Sequence, residues 1–251
     1  MHVGARWLIK LDLHGFFDSV RERSVFPIFV ELGYPRLVAL ELTRLCTRVK
    51  APHPVQRRLD RQQVAPPYWV TFEGQLPQGA PTSGMLANAI MRRADEALSD
   101  LAQAQGLVYT RYSDDIVLSA GPGYSRRRAA SAVTRASAIL RANGFSVHRA
   151  KTRIVPPGSR QVILGLLVDH DQVRLLPTYK RRIEVHIRGV ARFGLVEHAQ
   201  HRGFESVLSM INHIDGCIAF AQSVEPAFAD TVRDRWAATL ASIGYLRTAT
   251  S

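Results

Sequence analysis

Two adjacent aspartates, Asp114 and Asp115, lie in the segment GLVYTRYSDDIVLSAG, between two apolar runs typical of β-strands. Ionised carboxylates in an apolar hairpin repel each other and lose hydration, so they persist only where a proton or a cation compensates their charge. A divalent metal ion is the simplest compensation, because Mg²⁺ needs only a few carboxylates besides water and phosphate oxygens. The alternative is that both aspartates are ordinary turn residues, which are common where a hairpin reverses.

The elements that must position these carboxylates begin with an earlier aspartate. RWLIKLDL predicts a strand that ends at Asp12, and SVRE predicts a capping box, Ser19 with Glu22, that starts a helix running towards Gly33. RLVALELTRLCTRV predicts a second helix. An aperiodic stretch rich in Pro and Arg over 50–67 predicts a loop, and YWVTFEG predicts a short strand.

The remaining pattern alternates between strands and helices and then becomes helical. LPQGAPTSG predicts a tight loop that leads into a long helix over 85–106, and a further helix over 126–142 stops at the dipeptide NG. FSVHRAKTRIV predicts a strand, and RQVILGLLVDHDQVRLLP predicts a second hairpin. Three helical patterns follow, with a subdomain boundary near Leu176. We therefore expect an α+β fold, with an antiparallel sheet of about four strands, helices on one face, and a helical C-terminal part.

The composition favours a polyanionic partner. The chain has 251 residues, 46% of them hydrophobic, and a net charge of +12 carried mostly by arginine. Arginine suits bidentate contacts with phosphate, which places nucleic acid ahead of a membrane surface. A GC-rich genome would explain the excess of Arg over Lys, but it would not explain the surplus of positive charge.

The cysteine and histidine patterns give no support for a disulfide or a zinc site. Cys46 and Cys217 lie far apart without CxxC spacing, no secretory signal is visible, and no apolar run approaches the roughly eighteen residues of a membrane span. We therefore expect a cytoplasmic protein without a membrane partner. His198 and His201 are three residues apart on a predicted helix, but metal binding there lacks nearby Cys or carboxylate ligands.

Five segments occur in the order of the palm motifs of reverse transcriptases: LIKLDLHGFFDSV, LPQGAPTSGMLAN, RYSDDIVLS, GFSVHRAKT and VILGLLVD. The segment QGAPTS, together with ILGLLVD and YKRRI, most resembles the reverse transcriptases of the bacterial retron and group II intron branch, including the retron-like defence enzymes. The resemblance implies a palm over 1–155, a primer-grip hairpin over 156–176 and a helical thumb over 177–251.

The resemblance also implies a two-metal site. Asp12 and Asp114 would hold two Mg²⁺ ions, with Mn²⁺ as the alternative ion, Asp115 beside them and the Leu13 carbonyl as a further ligand. In phosphoryl transfer one ion activates the primer 3′ hydroxyl and the other neutralises the leaving pyrophosphate. Lys151 matches the lysine implied as proton donor to pyrophosphate; the alternative is a solvated lysine at a strand end.

The implied substrate contacts begin with a steric gate. Phe17 would clash with a ribose 2′ hydroxyl and so favour deoxynucleotides; the alternative is a core phenylalanine, because Phe16 and Phe17 both precede an amphipathic helix. Asn88 is the asparagine expected after LPQGAPTSG. The remaining implied residues contact the nucleotide (Gly15, Phe16, Gln78 and Gly79) or the primer and template (Pro81, Tyr112, Leu164, Gly165, Lys180, Arg181 and Arg182). For the basic run, a merely solvated helix face is the alternative.

The sequence departs from the family pattern at its start. Reverse transcriptases carry a fingers subdomain before the first Asp motif, whereas Asp12 follows only eleven residues. We expect that the fingers are absent from this chain, so that a separate chain supplies them, the start is truncated, or polymerisation has been abandoned. The retained carboxylates argue against the last explanation.

The predicted function is that of an RNA-directed DNA polymerase. It would add deoxynucleotides from their triphosphates to a DNA or RNA primer on an RNA template, in a retron-like or anti-phage defence setting. The alternatives are a non-catalytic RNA-binding or scaffold subunit of a ribonucleoprotein, and a truncated polymerase that needs a separate fingers-bearing or defence partner chain. Template-independent synthesis also stays open.

Overall fold

The computed structural model describes residues 1–49 and 73–245. The predicted loop over 50–67 and most of the strand predicted in YWVTFEG lie outside the described residues. The chain divides into two compact units, residues 6–158 and residues 1–5 with 159–251. The domain boundaries implied by the resemblance, 155/156 and 176/177, stay predictions. Within the described parts, no helix is both long enough and apolar enough to cross a membrane.

A four-stranded antiparallel sheet forms the centre of the first unit. Its strands are β1 (Trp7–Asp12), β2 (Val108–Tyr112), β3 (Asp115–Ala120) and β4 (Arg153–Val155), in the order β2-β3-β1-β4. The two central strands, β1 and β3, are mostly buried, which explains why their sequences are near-continuous apolar runs. The predicted α+β fold with a four-stranded antiparallel sheet is confirmed.

The described residues of the first unit also form five helices: α1 (Phe16–Ser19), α2 (Glu22–Glu31), α3 (Arg36–Cys46), α4 (Ser83–Gln105) and α5 (Arg126–Ala142). Helix α4 packs against β2 and α5, and α5 packs against β1 and β4. The buried stripe of α5 is mostly alanine, which allows a close approach to the sheet. The Ser125 hydroxyl caps α5 by accepting a hydrogen bond from the Arg128 N–H.

Two local predictions in this unit are wrong. Ser19 and Glu22 do not form a capping box, because Ser19 ends α1, where its hydroxyl donates to the Gly15 carbonyl at 2.9 Å. The residue that precedes α2 is Arg21, and no side chain caps this helix. In FSVHRAKTRIV only 153–155 form a strand, because the Lys151 and Thr152 N–H groups both bond to the His148 carbonyl and close a turn.

The second unit contains a small sheet followed by four helices. Strands β5 (Val162–Ile163), β6 (Leu166–Leu167) and β7 (Arg174–Leu175) pair in sequence order. The predicted second hairpin is β6–β7, and the left-handed residues Leu164 and Gly165 add a turn that creates β5. The helices are α6 (Pro177–Phe193), α7 (Leu195–His201), α8 (Val207–Val224) and α9 (Pro226–Ser242).

Helices α6 and α7 meet at an unusually close contact. A Cβ atom on Gly189 of α6 would lie 2.1 Å from the Cε1 atom of His198 in α7, so only glycine fits this position. The Nδ1 atom of His186 lies 3.2 Å from the His198 Nε2 atom. His198 is buried and His201 is exposed. The i, i+3 histidine pair is therefore divided between the protein interior and the surface.

Candidate active site

A cavity of about 260 Å³ lies where β1 ends beside the β2–β3 turn, and we call it the acidic cavity. Most of the residues that line it are ones that the sequence motifs single out. They are Asp12, Leu13, His14, Gly15, Phe16, Phe17, Asp18, Gln78, Asp114, His148 and Lys151. Residues from four separate motifs thus meet at one end of the sheet.

The antiparallel pairing of β1 with β3 brings the aspartates together. Asp12 and Asp115 are directly opposite partners at the ends of these strands, and Asp114 belongs to the two-residue turn that joins β2 to β3. The Leu13 N–H donates to the Asp114 carbonyl at 3.1 Å, which fixes the turn against the end of β1. Asp12 and Asp114 both line the cavity, whereas Asp115 does not.

The turn between β2 and β3, which contains Asp114, has a strained backbone. Ser113 has φ 56°, in the left-handed region that non-glycine residues rarely adopt. Such a conformation costs about 1–3 kcal/mol and persists where the surrounding contacts hold it in place.

The two carboxylate oxygens of Asp12 have different surroundings. Oδ2 lies 3.0 Å from the Lys151 Nζ atom, while Oδ1 is buried and has no hydrogen-bond partner. A buried acceptor without a donor carries a desolvation cost of about 1–3 kcal/mol, and more when the group is charged. A cation in the acidic cavity would remove that cost, so these oxygen donors fit a Mg²⁺ or Mn²⁺ ion.

The described residues do not contain a complete ligand set made of side chains alone. No three His, Cys, Asp or Glu side chains among residues 1–49 and 73–245 are grouped closely enough to hold a metal ion. Two carboxylates are still sufficient for Mg²⁺, which keeps several waters and uses substrate phosphates as further ligands.

Lys151 reaches the acidic cavity from the turn that interrupts the predicted strand. The His148 N–H donates to the Asp12 carbonyl at 2.7 Å, and this bond holds the turn against β1. The Lys151 side chain is 60% exposed, so its ion pair with Asp12 adds little stability. The lysine can therefore leave Asp12 at small cost.

The segment after β1 supplies the wall beside Asp12. Gly15 has φ 55° and directs the chain into α1. Phe16 is buried, with its ring 5.7 Å from that of Phe145, whereas Phe17 is only partly buried. Of the two adjacent phenylalanines, Phe17 has the more accessible ring.

Several predicted residues lie outside the acidic cavity. Gly79, Pro81 and Tyr112 belong to the same unit but do not line it, and Tyr112 is 69% exposed. Leu164, Gly165 and the basic run 180–182 belong to the second unit.

The basic run of the second unit is partly engaged within that unit. Lys180 pairs with Glu225 and lies over the Phe228 ring, and the Arg182 guanidinium lies over the Tyr179 ring at 4.9 Å. Arg181 is exposed. The alternative of a merely solvated helix face therefore does not describe all three residues.

Arg111, whose side chain is largely enclosed, is a further residue of the site region that the sequence motifs do not single out. Its Nε and Nη2 atoms bind the two Asp95 oxygens at 2.8 and 2.7 Å, and its Nη1 atom donates to the Asn88 side-chain oxygen and the Ser113 carbonyl, both at 2.9 Å. We call Asn88, Asp95, Tyr109 and Arg111 the Arg111 network. It ties the strained turn to α4, and its sequence signal was the placement of Asn88 and Asp95 seven residues apart, on one face of a helix.

The Arg111 network also shifts the pKa values of its members. The Tyr109 hydroxyl donates to Asp95 at 2.6 Å, and burial together with this bond raises the pKa of Tyr109 well above its ordinary value. The hydrogen bond to Asp95 is the main cause that raises the pKa of Arg111. The network therefore keeps its charged arginine and its neutral tyrosine across the physiological range.

Two histidines of the acidic cavity were also missed. The rings of His14 and His148 meet edge to face at 5.5 Å, and the His148 Nδ1 atom is buried without a hydrogen-bond partner. Their sequence signal was weak, because each is a single histidine next to a motif residue.

Comparison with known proteins agrees with the motif order. The family described as Reverse transcriptase (RNA-dependent DNA polymerase) matches residues 1–176. The Retron Ec86 reverse transcriptase of Escherichia coli is 29% identical over 224 residues, covering 89% of this chain and 58% of that protein. The Retron Mx65 reverse transcriptase of Myxococcus xanthus is 32% identical over 235 residues, covering 93% of this chain and 50% of that protein.

A third relative, the Retron Mx162 reverse transcriptase of Myxococcus xanthus, is 36% identical over 176 residues, covering 67% of this chain and 35% of that protein. The chain thus spans about half the length of the first two relatives and about a third of the third. The family match covers well over half of this chain and includes every residue of the acidic cavity. The chain therefore belongs to the reverse transcriptase family, and its relatives place it with the retron type.

Proposed function

We propose that this chain is an RNA-directed DNA polymerase that adds deoxynucleotides to a primer 3′ hydroxyl on an RNA template. The observation that carries the proposal is the buried, unpartnered Oδ1 atom of Asp12 in a cavity shared with Asp114. The match to the reverse transcriptase family, which includes both aspartates, supports the same reading.

The Asp12 and Asp114 carboxylates, with the Leu13 carbonyl, would hold Mg²⁺ or Mn²⁺. When bound, the ions supply activation of the 3′ hydroxyl and neutralisation of the pyrophosphate. Asp115, the cross-strand partner of Asp12, adds negative charge beside the site. The role of these residues is to fix the position of charge before the reaction, which is the main protein contribution to phosphoryl transfer.

Lys151 is proposed to protonate the leaving pyrophosphate. Its Nζ atom already lies at the wall of the acidic cavity, 3.0 Å from Asp12, and its exposed stem allows it to move towards a phosphate. General acids of this kind contribute about 10²–10⁴-fold to a rate. Lys151→Met should therefore slow incorporation strongly while leaving nucleotide affinity much less affected.

The segment after β1 is proposed to select the sugar. The Phe17 ring would exclude a ribose 2′ hydroxyl, while the Gly15 and Phe16 N–H groups would contact the triphosphate. Gln78 and Gly79 would lie beside the incoming nucleotide. Primer and template would contact Pro81 and Tyr112 in the first unit, and Leu164, Gly165, Lys180, Arg181 and Arg182 in the second.

The domain assignment and the partners belong to the same proposal. Residues 1–155 would act as a palm, 156–176 as the primer grip and 177–251 as a thumb. RNA template, DNA or RNA primer and deoxynucleoside triphosphates are the proposed ligands, with a separate fingers-bearing or defence chain as a further partner. A retron-type or defence role in the cytoplasm is the proposed setting.

Primer extension tests the proposal. Purified chain, alone and with the product of the adjacent gene, is given an RNA template, a DNA primer, deoxynucleotides and Mg²⁺. We expect incorporation that EDTA abolishes and that Asp114→Asn reduces by at least about a thousandfold, since the substitution removes one of the two carboxylates proposed to hold the metal ions. Phe17→Ala should raise the use of ribonucleotides relative to deoxynucleotides. Incorporation that survives Asp114→Asn would contradict the proposed site.

The charge of the chain favours a second candidate function, that of a non-catalytic RNA-binding subunit. A net charge of +12 supports RNA binding whether or not the acidic cavity is active. RNA affinity that is the same in wild type and Asp114→Asn, with no incorporation under any pairing, would favour this candidate.

A further inference from the structure

The first unit contains a second and larger cavity, of about 940 Å³, between α5 and the segment 145–154. It shares no lining residue with the acidic cavity. It is lined by Arg126, Ala130, Val133, Thr134, Ser137, Ala138, Arg141, Phe145, Ser146, Val147, Arg149, Thr152, Arg153 and Ile154. We call it the arginine groove.

The arginine groove carries positive charge on both walls. Arg126 and Arg141 belong to α5, Arg149 and Arg153 belong to the facing segment, and no Asp or Glu is among the described residues that line the groove. All four arginines are exposed, and none forms an ion pair with a carboxylate within the described parts of the chain. Unpaired guanidinium groups that face one another across a groove favour an anionic ligand.

The spacing of the α5 residues gives the groove the length of a short strand of nucleic acid. The lining residues of α5 recur every three or four positions from Arg126 to Arg141, so they form one stripe along the helix. At a rise of about 1.5 Å per residue this stripe is about 22 Å long. About six nucleotides of a stacked strand, at about 3.4 Å each, cover that distance.

The hydroxyl groups of the groove favour RNA. The hydroxyls of Thr134, Ser137 and Thr152 donate their hydrogens to the carbonyls four residues earlier, at 3.2, 2.7 and 3.2 Å. Because their hydrogens are engaged, the hydroxyls of these lining residues can offer a ligand only acceptor lone pairs, which suits a donor and not a phosphate oxygen. The ribose 2′ hydroxyl is such a donor, and DNA lacks it.

The remainder of the groove favours contact with the backbone of a strand over contact with its bases. Of the described residues that line the groove, Phe145 is the only aromatic one, and it is buried in the core. Base recognition in single strands relies on exposed aromatic rings that stack on bases. Arginines without such rings bind the sugar–phosphate backbone and do not distinguish sequences.

We propose that the arginine groove binds a strand of RNA through its sugar–phosphate backbone, at a surface separate from the acidic cavity. The segment 145–152 would connect the two surfaces, because Ser146 and Arg149 line the groove while His148 and Lys151 line the acidic cavity. The ligand class follows from charge complementarity and from the orientation of the hydroxyls.

The test measures RNA binding and not polymerisation. Fluorescence anisotropy of an end-labelled 20-residue oligouridine is recorded over a series of salt concentrations, in EDTA and without nucleotide. The groove variant is Arg141→Gln with Arg149→Gln. The matched control, Arg92→Gln with Arg93→Gln, removes the same charge from exposed positions on α4 outside the groove. Circular dichroism verifies that both variants are folded.

We expect the groove variant to lose about 1.4 units from the slope of log affinity against log salt, because each phosphate contact in a single strand contributes about 0.7. A slope lower by about 1.4 units corresponds to roughly tenfold weaker RNA binding at about 0.15 M salt if the two lost contacts act only through counterion release. The control variant should change the slope by less than a third of that amount. Equal losses in the two variants would overturn the proposal, since binding would then depend only on net charge.

Two further arms separate RNA from other anions. The wild-type chain should bind the oligouridine more tightly than the deoxyuridine strand of equal length, and Ser137→Ala should narrow that difference. Displacement of the RNA by polyglutamate at equal charge concentration would assign the groove to an acidic protein segment and overturn the proposal. Because metal and nucleotide are absent, a chain without polymerase activity would still show the loss specific to the groove.

Discussion

Removal of the Asp95 charge should destabilise the first unit, because among residues 1–49 and 73–245 Asp95 is the only carboxylate that forms an ion pair with Arg111. The Arg111 side chain is 8% exposed and that of Asp95 is 28% exposed. Asp95→Asn keeps the size of the side chain but leaves the guanidinium with neutral acceptors alone: the Asn88 side chain, the Ser113 carbonyl and the amide oxygen of the new asparagine. Tyr109 would at the same time lose its charged partner.

The magnitude follows from the burial of this pair. Breaking a buried ion pair by removing one partner costs about 3–5 kcal/mol. Because Asp95 retains some exposure and asparagine can still accept one hydrogen bond, we expect a loss below that range, about 2–3 kcal/mol in the free energy of unfolding. That loss corresponds to a decrease of roughly 30- to 150-fold in the folding equilibrium constant.

Urea unfolding of the full chain, followed by circular dichroism, measures this loss. The matched control is Arg92→Ala on the same helix, where Arg92 and Glu96 form an exposed pair at 3.5 Å that contributes less than about 0.5 kcal/mol. A loss below about 1 kcal/mol in Asp95→Asn, or one equal to that of the control, would refute the view that the Arg111 network holds the strained turn in place.

Three further predictions concern other parts of the chain. Gly189→Ala should destabilise the second unit by more than about 2 kcal/mol in the same urea assay, because the added Cβ would overlap His198. Its control is Gly216→Ala, which adds a Cβ at an exposed and uncrowded position of α8 and should stabilise the unit by up to about 1 kcal/mol. Burial and, to a lesser degree, repulsion from His198 lower the pKa of His186 from 6.5 to about 4, so the unfolded state binds the proton more readily than the folded state. The free energy of unfolding should therefore fall as the pH drops from 6.5 towards 4, and His186→Phe should make it depend less on pH. Ser125→Ala should cost about 1 kcal/mol by removing the α5 cap, visible as a lower urea midpoint.

The fold was predictable where a periodic pattern coincided with a stop signal. Helix α5 begins and ends where the sequence predicted, because Ser125 precedes its periodic stripe and the dipeptide NG follows it. The prediction of a strand over 145–155 was wrong because the turn that begins at His148 is held against β1 by a hydrogen bond from the His148 N–H to the Asp12 carbonyl, more than 130 residues away. No local pattern carries such a contact. The capping box failed because Ser19 is the last residue of α1 and α2 begins only after Arg21, while Glu22 pairs with Arg44 of the next helix.

The site was predictable as a set of motif residues but not as an arrangement. The aspartates were visible as charges within apolar strands, which is a local conflict that tends to mark function. The Arg111 network was visible only as the helical spacing of Asn88 and Asp95, because an arginine in a strand is ordinarily exposed and the packing of α4 against β2 is what encloses Arg111. The sequence likewise could not show which of Phe16 and Phe17 is buried, because Phe16 packs against Phe145, which is distant in the chain.

The central claim is that Asp12 and Asp114 form a divalent cation site, and Mn²⁺ binding measured by electron paramagnetic resonance tests it most directly. The free-ion signal should fall when the wild-type chain is added, and this loss should be much smaller for Asp12→Asn and for Asp114→Asn. A variant of an exposed carboxylate in the same unit, Glu96→Gln, should bind as the wild type does. Equal Mn²⁺ binding by wild type, Asp12→Asn and Asp114→Asn would contradict the account.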